Sequence, residues 1–427
     1  MRRKSVSALA MVLFLTAGAW AATETVLWNF GGKGDGAAPY GNSLIADRKG
    51  NLYGVTAGGG SNNGGVVFEL SPDGHGGYTE TVLYSFCSLS TCSDGYYPYG
   101  GLVQDKKGNL YGTTFLGAGC RNYSGFCGAV YELSPNGAGG WNETILYGFC
   151  QGGGLCLDGV FPVAGLTLDK QGNLYGTTSQ GGTYNDLPSY FGPCDDIGCG
   201  TVFEMSPAAG GGWTHTVLYR FTGYGDGKGP YGGVVFDSAG NLYGTTSIGG
   251  GSAAGSVYEL SPNGDGTWSE TTLHNFGGGK DGISPEYVTL SRAPAGNLYG
   301  TTAYGGANNT GTIWQLSYSK ADNSYKEKVL YSFPASGGTP LAGVIRDNAA
   351  AVLYGTTDSG GTNGRGTFFQ LKRSPKGWGE TVLQTFSGSG DGGNPSGALL
   401  RDKNGNFFGM TASGGTHKQG VVFEITP

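Results

Sequence analysis

Charge is what this chain has least of. Asp, Glu, Lys and Arg together make up 13% of its 427 residues, about half the usual globular share. The balance is acidic, with a net charge of −6, so the chain offers no basic surface to a phosphate backbone and nucleic acid is excluded as a partner. Histidine is nearly as scarce: His75, His215, His274 and His417 are far apart and show no metal-ligand spacing. No Gly-x-Ser-x-Gly elbow, phosphate-binding loop or Cys-His arrangement occurs. Past the first residues no apolar run approaches the roughly 20 that a spanning helix needs. No segment carries a helical period either, and strands remain.

The one long apolar run is at the start, MRRKSVSALAMVLFLTAGAWA. Three basic residues, a short apolar stretch and the small-residue pattern at Ala19 and Ala21 predict a cleaved secretory signal over 1–21, with Ala22 opening the mature chain. Arg2 and Arg3 do not extend into a twin-arginine motif, and the first cysteine, Cys87, is too distant for a lipid anchor. A secreted or periplasmic protein is expected, more acidic once Arg2, Arg3 and Lys4 are removed.

Glycine is abundant, at 87 residues, beside 12% aromatics. GNLYGTT stands at 108–114, 172–178 and 240–246, and as GNLYGTTA from 296; its Asn recurs at 51, 109, 173, 241 and 297, with degenerate copies at Val352 (AVLYGTT) and Asn406 (GNFFGMT). Seven copies 54 to 68 residues apart mean a repeat architecture. Each unit carries four short apolar runs, typified by GLVQD (101–105), NLYGTT, AVYELSP (129–135) and ETILYGF (143–149), bounded by Gly, Pro, Asn and Asp, which is the strand signal. The expectation is an all-β, seven-bladed β-propeller of four-stranded antiparallel blades, forming one domain over 22–427. DKKGN (105–109) and its equivalents supply the first hairpin turn through an Asp and a Gly of positive φ; DNAAAV in the sixth unit demands a different turn.

The seventh unit ends at Pro427 without its fourth run, and that run is found at the other end as ETVLWNF (24–30). The N-terminal strand is therefore expected to complete the last blade and close the ring, removing an exposed edge.

Eight cysteines fall in close couples, Cys87 with Cys92, Cys120 with Cys127, Cys150 with Cys156 and Cys194 with Cys199, and four disulfides are expected. All lie in two loop types that should open on one face of the disc, in blades two and three. That sector also holds the longest insertion, 179–200. Its aromatic and acidic residues, Tyr96, Tyr97, Tyr99, Tyr123, Tyr190, Phe191, Asp195 and Asp196, are the candidate ligand-binding set.

Three repeated features read as structural. An Asp-Gly step in six inter-blade loops (Asp35, Asp94, Asp158, Asp226, Asp281, Asp391) is explained by turn aspartates capping their own amides. No cofactor is expected, shared calcium at these steps being the minority alternative. Aromatics before the fourth strand (Tyr78, Trp141, Trp213, Trp268, Tyr325, Trp378) should cover their own hairpins. Glutamates recurring once per blade, such as Glu69, Glu132, Glu80 and Glu143, lack the unique setting of a catalytic pair.

The unit GLxxDxxGNLYGTTxxGG, followed by the E-L-S-P and E-T-V-L-Y-S-F runs, closely resembles the GloVer-type tandem repeat family of bacterial exported proteins over essentially the whole mature chain. The resemblance implies a secreted or surface repeat protein and carries over no functional residues. The leading expectation is a non-catalytic, monomeric binding or scaffold protein that recognises carbohydrate, peptide or a partner protein through the loops of blades two and three. The alternative is a propeller hydrolase or lyase acting at the central channel mouth.

Overall fold

The computed structural model describes residues 22–31, 34–41, 43–118, 127–151, 156–182, 194, 198–347, 349 and 351–427. The predicted signal, 1–21, lies outside them. Seven four-stranded antiparallel sheets follow one another along the chain as blades. In blade two the strands are Val103–Gln104, Leu110–Thr114, Ala129–Pro135 and Trp141–Gly148, paired in chain order. The innermost strand is only two residues long in every blade, shorter than the GLVQD run suggests, because its Gly-rich start opens onto the centre of the disc. Beside the blades, Gly36–Ala37 pairs with Gly58–Gly59.

The copy at 172–178 shows what each letter of the heptapeptide does. Gly172 takes a φ of +94° in the hairpin turn, and the Asn173 N–H donates to Asp169 Oδ1 at 2.8 Å. Leu174 and Tyr175 point to opposite sides of the strand: Leu174 packs with Tyr111 of the preceding blade and Tyr175 with Leu242 of the next. A Cβ on Gly176 would come within 2.6 Å of the Phe203 ring in the adjacent strand, so the glycine exists to seat that aromatic. Thr177 Oγ1 donates to the Gly232 carbonyl of the next blade at 3.1 Å, and Thr178 Oγ1 bonds Thr201 Oγ1 at 2.8 Å. In blade six, whose turn lacks the Gly-Asn pair, Asp347 caps Ala351 N and Val352 N instead.

Seven apolar clusters result, one at each blade interface. Tyr53 meets Leu110, Tyr243 meets Leu298 and Tyr299 meets Leu353. A phenylalanine at the end of each fourth strand packs against an aromatic of the next blade, in most cases edge-on, as in Phe86 with Tyr131 (5.0 Å), Phe149 with Phe203 (5.2 Å) and Phe221 with Tyr258 (5.0 Å). Such pairs contribute about 0.5–1.5 kcal/mol each beyond their area burial. The aromatics before the fourth strand depart from expectation. Trp213 does face Pro207 in its own hairpin, but its ring also contacts Tyr111 of the preceding blade at 5.7 Å, and Tyr325 likewise reaches Tyr243. The hairpin lies flat against its neighbour, so these rings join blades as well as strands.

Closure is as expected. Thr23–Asn29 pairs antiparallel with Val421–Thr426 as the outer strand of the last blade, and Phe30 stacks edge-on against Phe68 of blade one at 5.1 Å.

Each interface also carries a polar column. In most of them the fourth strand of one blade presents a donor to the inter-blade aspartate and the fourth strand of the next blade presents a carboxyl; between blades five and six, whose loop has no aspartate, Tyr331 Oη donates directly to Glu380 at 2.8 Å. Tyr84 Oη donates to Asp94 at 3.0 Å and Tyr219 Oη to Asp226 at 2.9 Å; Glu143 and Glu270 complete these columns. Trp28 with Asp35 and Glu80 does the same at the seam. The aspartates also accept local amides, as Ser88 N to Asp94 (2.7 Å) and Thr222 N to Asp226 (2.8 Å), so they do cap their turns. Burial first, and the aspartate second, push the glutamate carboxyls up, to about 7 for Glu24, about 8 for Glu80 and about 7 for Glu143. Between Tyr147 and Asp158 and the next blade stands His215 instead, stacked on Tyr147 at 4.1 Å and pushed down to about 4 by burial, hence neutral.

Three measurements check this account. Gly176→Ala should overpack the Phe203 seat and cost about 1–3 kcal/mol in denaturant unfolding. Deleting 22–30 should lower thermal stability or cause aggregation, and an unchanged melting curve would overturn the closure. Glu80 keeps its proton in the folded state at pH values where the unfolded chain has lost it. Its contribution to stability therefore falls as pH rises from about 4.5 through about 8. Glu80→Gln, which resembles the protonated form, should match wild type near pH 4.5 and exceed it above about pH 8, read from unfolding midpoints across pH.

Candidate functional site

The two loop types expected to share a face do so. Backbone bridges join the inter-blade loop to the loop between the second and third strands in blades two, three, four, five and seven: Tyr96 with Leu116, Val160 with Gln180, Lys228 with Ile248, Ile283 with Tyr304 and Gly393 with Ser413. Nearer the axis the N–H of the residue after each Thr-Thr or Met-Thr pair donates to the carbonyl of the residue before each proline, as Phe115 to Tyr97 (2.9 Å), Asp358 to Thr339 (2.8 Å) and Ala412 to Asn394 (3.1 Å). These bonds form a collar around the mouth of the central channel.

The residues just after the collar prolines break the repeat. Four tyrosines, Tyr40, Tyr99, Tyr231 and Tyr287, come from blades one, two, four and five and meet across the axis. Their ring centroids lie 6.4 Å apart for Tyr40 and Tyr99, 6.3 Å for Tyr40 and Tyr287, and 5.6 Å for Tyr231 and Tyr287. The aromatic surface continues from Tyr99 to Phe115 (5.4 Å) and Phe161 (4.9 Å), and outward through Tyr97 to Tyr96. All four collar rings are half-buried, and among the described residues none of their hydroxyls has a hydrogen-bond partner. Burial first, and neighbouring carboxylates or tyrosines second, raise all four hydroxyls above the usual phenol range. They remain donors at any physiological pH.

Two carboxylates face this surface. Glu286 is an extra residue between the collar proline and Tyr287, and Ser284 Oγ donates to it at 2.8 Å. Asp358 replaces the Ala, Ser or Phe that follows the threonines elsewhere, and burial raises its carboxyl. Both act on the Tyr40 hydroxyl. Beneath the tyrosines is a cavity of about 190 Å³ lined by small residues of the inner strands, among them Ser43, Gly101, Gly165, Thr167, Gly233 and Thr289. Among the described residues no titratable side chain other than Tyr231 and Tyr287 lines it.

Of the residues singled out in the sequence, Tyr96, Tyr97 and Tyr99 are brought together as one aromatic run leading into the collar. Tyr123, Tyr190, Phe191, Asp195 and Asp196 lie outside the described residues. Disulfides join Cys87 with Cys92, Cys150 with Cys156 and Cys194 with Cys199. Cys127 is also disulfide-bonded, and Cys120 lies outside the described residues. Sequence reasoning missed Tyr40, Tyr231, Tyr287, Glu286 and Asp358. Aligning the residue after each collar proline across the seven units would have shown Tyr40, Tyr99 and Tyr231 in a column interrupted by Val163, Glu286, Leu341 and Ser396, with Tyr287 displaced by one position.

Among the described residues no helix is long and apolar enough to cross a membrane. No curated protein matches the chain in sequence. Similar solved structures include a candidate 6-phosphogluconolactonase from Bacteroides uniformis, 13% identical over 84% of this chain and 88% of that one, with a TM-score of 0.50. A chain of the mitotic checkpoint complex is 11% identical over 100% of this chain and 98% of that one, with a TM-score of 0.53. At such identities the likeness shows the propeller fold alone. The model of the Gloeobacter/Verrucomicrobia repeat matches residues 14–190, 195–376 and 317–427, and the chain belongs to that family.

Proposed function

We propose that this is an exported glycan-binding propeller whose site is the channel mouth, with the collar tyrosines as stacking surface and Glu286 and Asp358 as acceptors for sugar hydroxyls. One observation carries the reading: four tyrosines from four different blades converge where the repeat is broken, with hydroxyls that have no hydrogen-bond partner among the described residues. A sugar ring offers apolar C–H faces to aromatic rings and a rim of hydroxyls to donors and acceptors, which is the inventory of this mouth. The disulfides suit an oxidising compartment, and the stapled loops of blades two and three extend the same aromatic surface outward.

A second reading is favoured by Glu286 and Asp358 themselves. They are non-repeated carboxyls beside a tyrosine hydroxyl, and a hydrolase or lyase would draw its acid and base from such a set.

Binding to immobilised and soluble polysaccharides, measured on arrays and by calorimetry, tests both. A Tyr40→Ala, Tyr287→Ala double variant should bind at least about tenfold more weakly than wild type, about 1.4 kcal/mol. Equal binding would remove the collar from consideration, and loss confined to a Tyr190→Ala, Phe191→Ala variant would move the site outward. Capture of peptides but no glycan would overturn the ligand class. New reducing ends or unsaturated products, lost in Asp358→Asn and Glu286→Gln, would establish the enzymatic reading.

A further inference from the structure

Of the seven interface columns, the one between blades four and five is built differently. The place that holds Tyr84, Tyr147, Tyr219 and Tyr331 in four columns, and Trp28 and Gln384 in two, is taken there by His274. Its strand, Trp268–Asn275, ends blade four; Asp281 follows in the inter-blade loop; Glu327 lies on Ser324–Ser332, the fourth strand of blade five. His274 Nε2 is 3.2 Å from Asp281 Oδ1. The three side chains can each turn one ligand atom into a common space, all within 4.8 Å of one another. Among the described residues no other group of three or more His, Cys, Asp or Glu side chains does this.

The rest of the geometry is already fixed. The Gly277 N–H donates to Asp281 Oδ2 at 2.5 Å, which leaves Oδ1 facing the imidazole. Phe276 packs edge-on against the imidazole at 4.8 Å. Among the described residues Glu327 Oε1 is buried with no hydrogen-bond partner, a state it shares with the equivalent Oε1 atoms of Glu24, Glu80 and Glu143. In the tyrosine columns a hydroxyl proton answers the carboxylates, and neither phenol, indole nor amide nitrogen is a ligand of comparable strength. An imidazole is: with two carboxylates it makes a one-nitrogen, two-oxygen set without thiolate, the donor chemistry of zinc-class divalent cations. The side chains of His274 and Asp281 are 20% and 23% exposed, so an ion could enter from solvent and keep water in its remaining positions.

We propose that His274, Asp281 and Glu327 form a divalent transition-metal site that pins blade four to blade five. The loop that supplies Asp281 runs on to Glu286 and Tyr287 at the channel mouth, so a bound ion would also fix the base of the collar on that side. The site stands independently of the glycan reading.

Purified full-length protein stripped with chelator and titrated with Co²⁺ provides the test. Wild type should show one saturable site with visible d–d absorption, displaced by Zn²⁺ but not by Ca²⁺. His274→Tyr restores the residue that four sister columns carry and should fold normally, yet bind at least about tenfold more weakly; Glu327→Gln should weaken binding similarly. Zn²⁺ should raise the melting temperature of wild type and leave that of His274→Tyr unmoved. Absence of a saturable site in wild type, displacement by Ca²⁺ alone, or undiminished binding by both variants would each overturn the assignment.

Discussion

A single blade of this protein cannot bury both of its faces, and everything else follows from how that is solved. The second strand carries Leu and Tyr side by side, which a strand's two-residue period sends to opposite faces. Leu174 fills the interface behind and Tyr175 the interface ahead, so each blade is at once a knob for one neighbour and a seat for the other. The buried phenylalanines at the ends of the fourth strands lock the same interfaces further out. None of these contacts is available to an isolated unit, which makes the stability cooperative around the ring. It also explains why the N-terminal strand has to return to the last blade. Without it the outer place beside Val421–Thr426 is empty and the seam between blades seven and one loses Phe30.

Low charge and high glycine are consequences of the same packing. Blade interfaces exclude water over most of their area, so ionisable groups are few there and gather in the polar columns, where in most cases a donor, an aspartate and a glutamate are stacked between blades. Two carboxyls so close cannot both ionise cheaply. The proton retained by Glu80 or Glu143 keeps a second negative charge out of the column, and the neutral His215 likewise adds no charge to its own. The glycine of each NLYG is set by the aromatic ring above it rather than by backbone conformation, whereas Gly172 is set by its turn.

The fold was largely legible because the repeat states it seven times. The period, the four runs, the Asp-Gly-Asn turn and the displaced fourth strand could all be assigned from the letters, since each depends on interactions within one unit or its immediate neighbour. The site was less legible for the converse reason. Tyr40 and Tyr287 are distant in sequence, sit in blades on opposite sides of the axis, and meet only because the ring closes. Tyr99 was picked out, but from its place in a stapled sector rather than from the partners it has. His274, Asp281 and Glu327 likewise lack any local ligand spacing; what joins them is the blade period, which brings equivalent strands of adjacent blades together.

A symmetric disc presents the same surface seven times, and a ligand that is not itself seven-fold can use only what departs from that symmetry. The departures are few and they cluster on one face. The stapled loops and the aromatic run of blades two and three lie on one side of the mouth, Glu286 and Tyr287 of blade five on another, and Asp358 of blade six beside them. The opposite ends of the blades keep the Asp-Gly-Asn turns nearly unchanged, which leaves little there to distinguish one direction of approach from the next. Tyrosine suits the mouth because its half-buried ring helps close the axis while its hydroxyl keeps its proton. The same side chain therefore serves the fold where it repeats, its hydroxyl bonded to a carboxylate in Tyr111 and Tyr175, and is left without a hydroxyl partner among the described residues where it converges, as in Tyr40 and Tyr287.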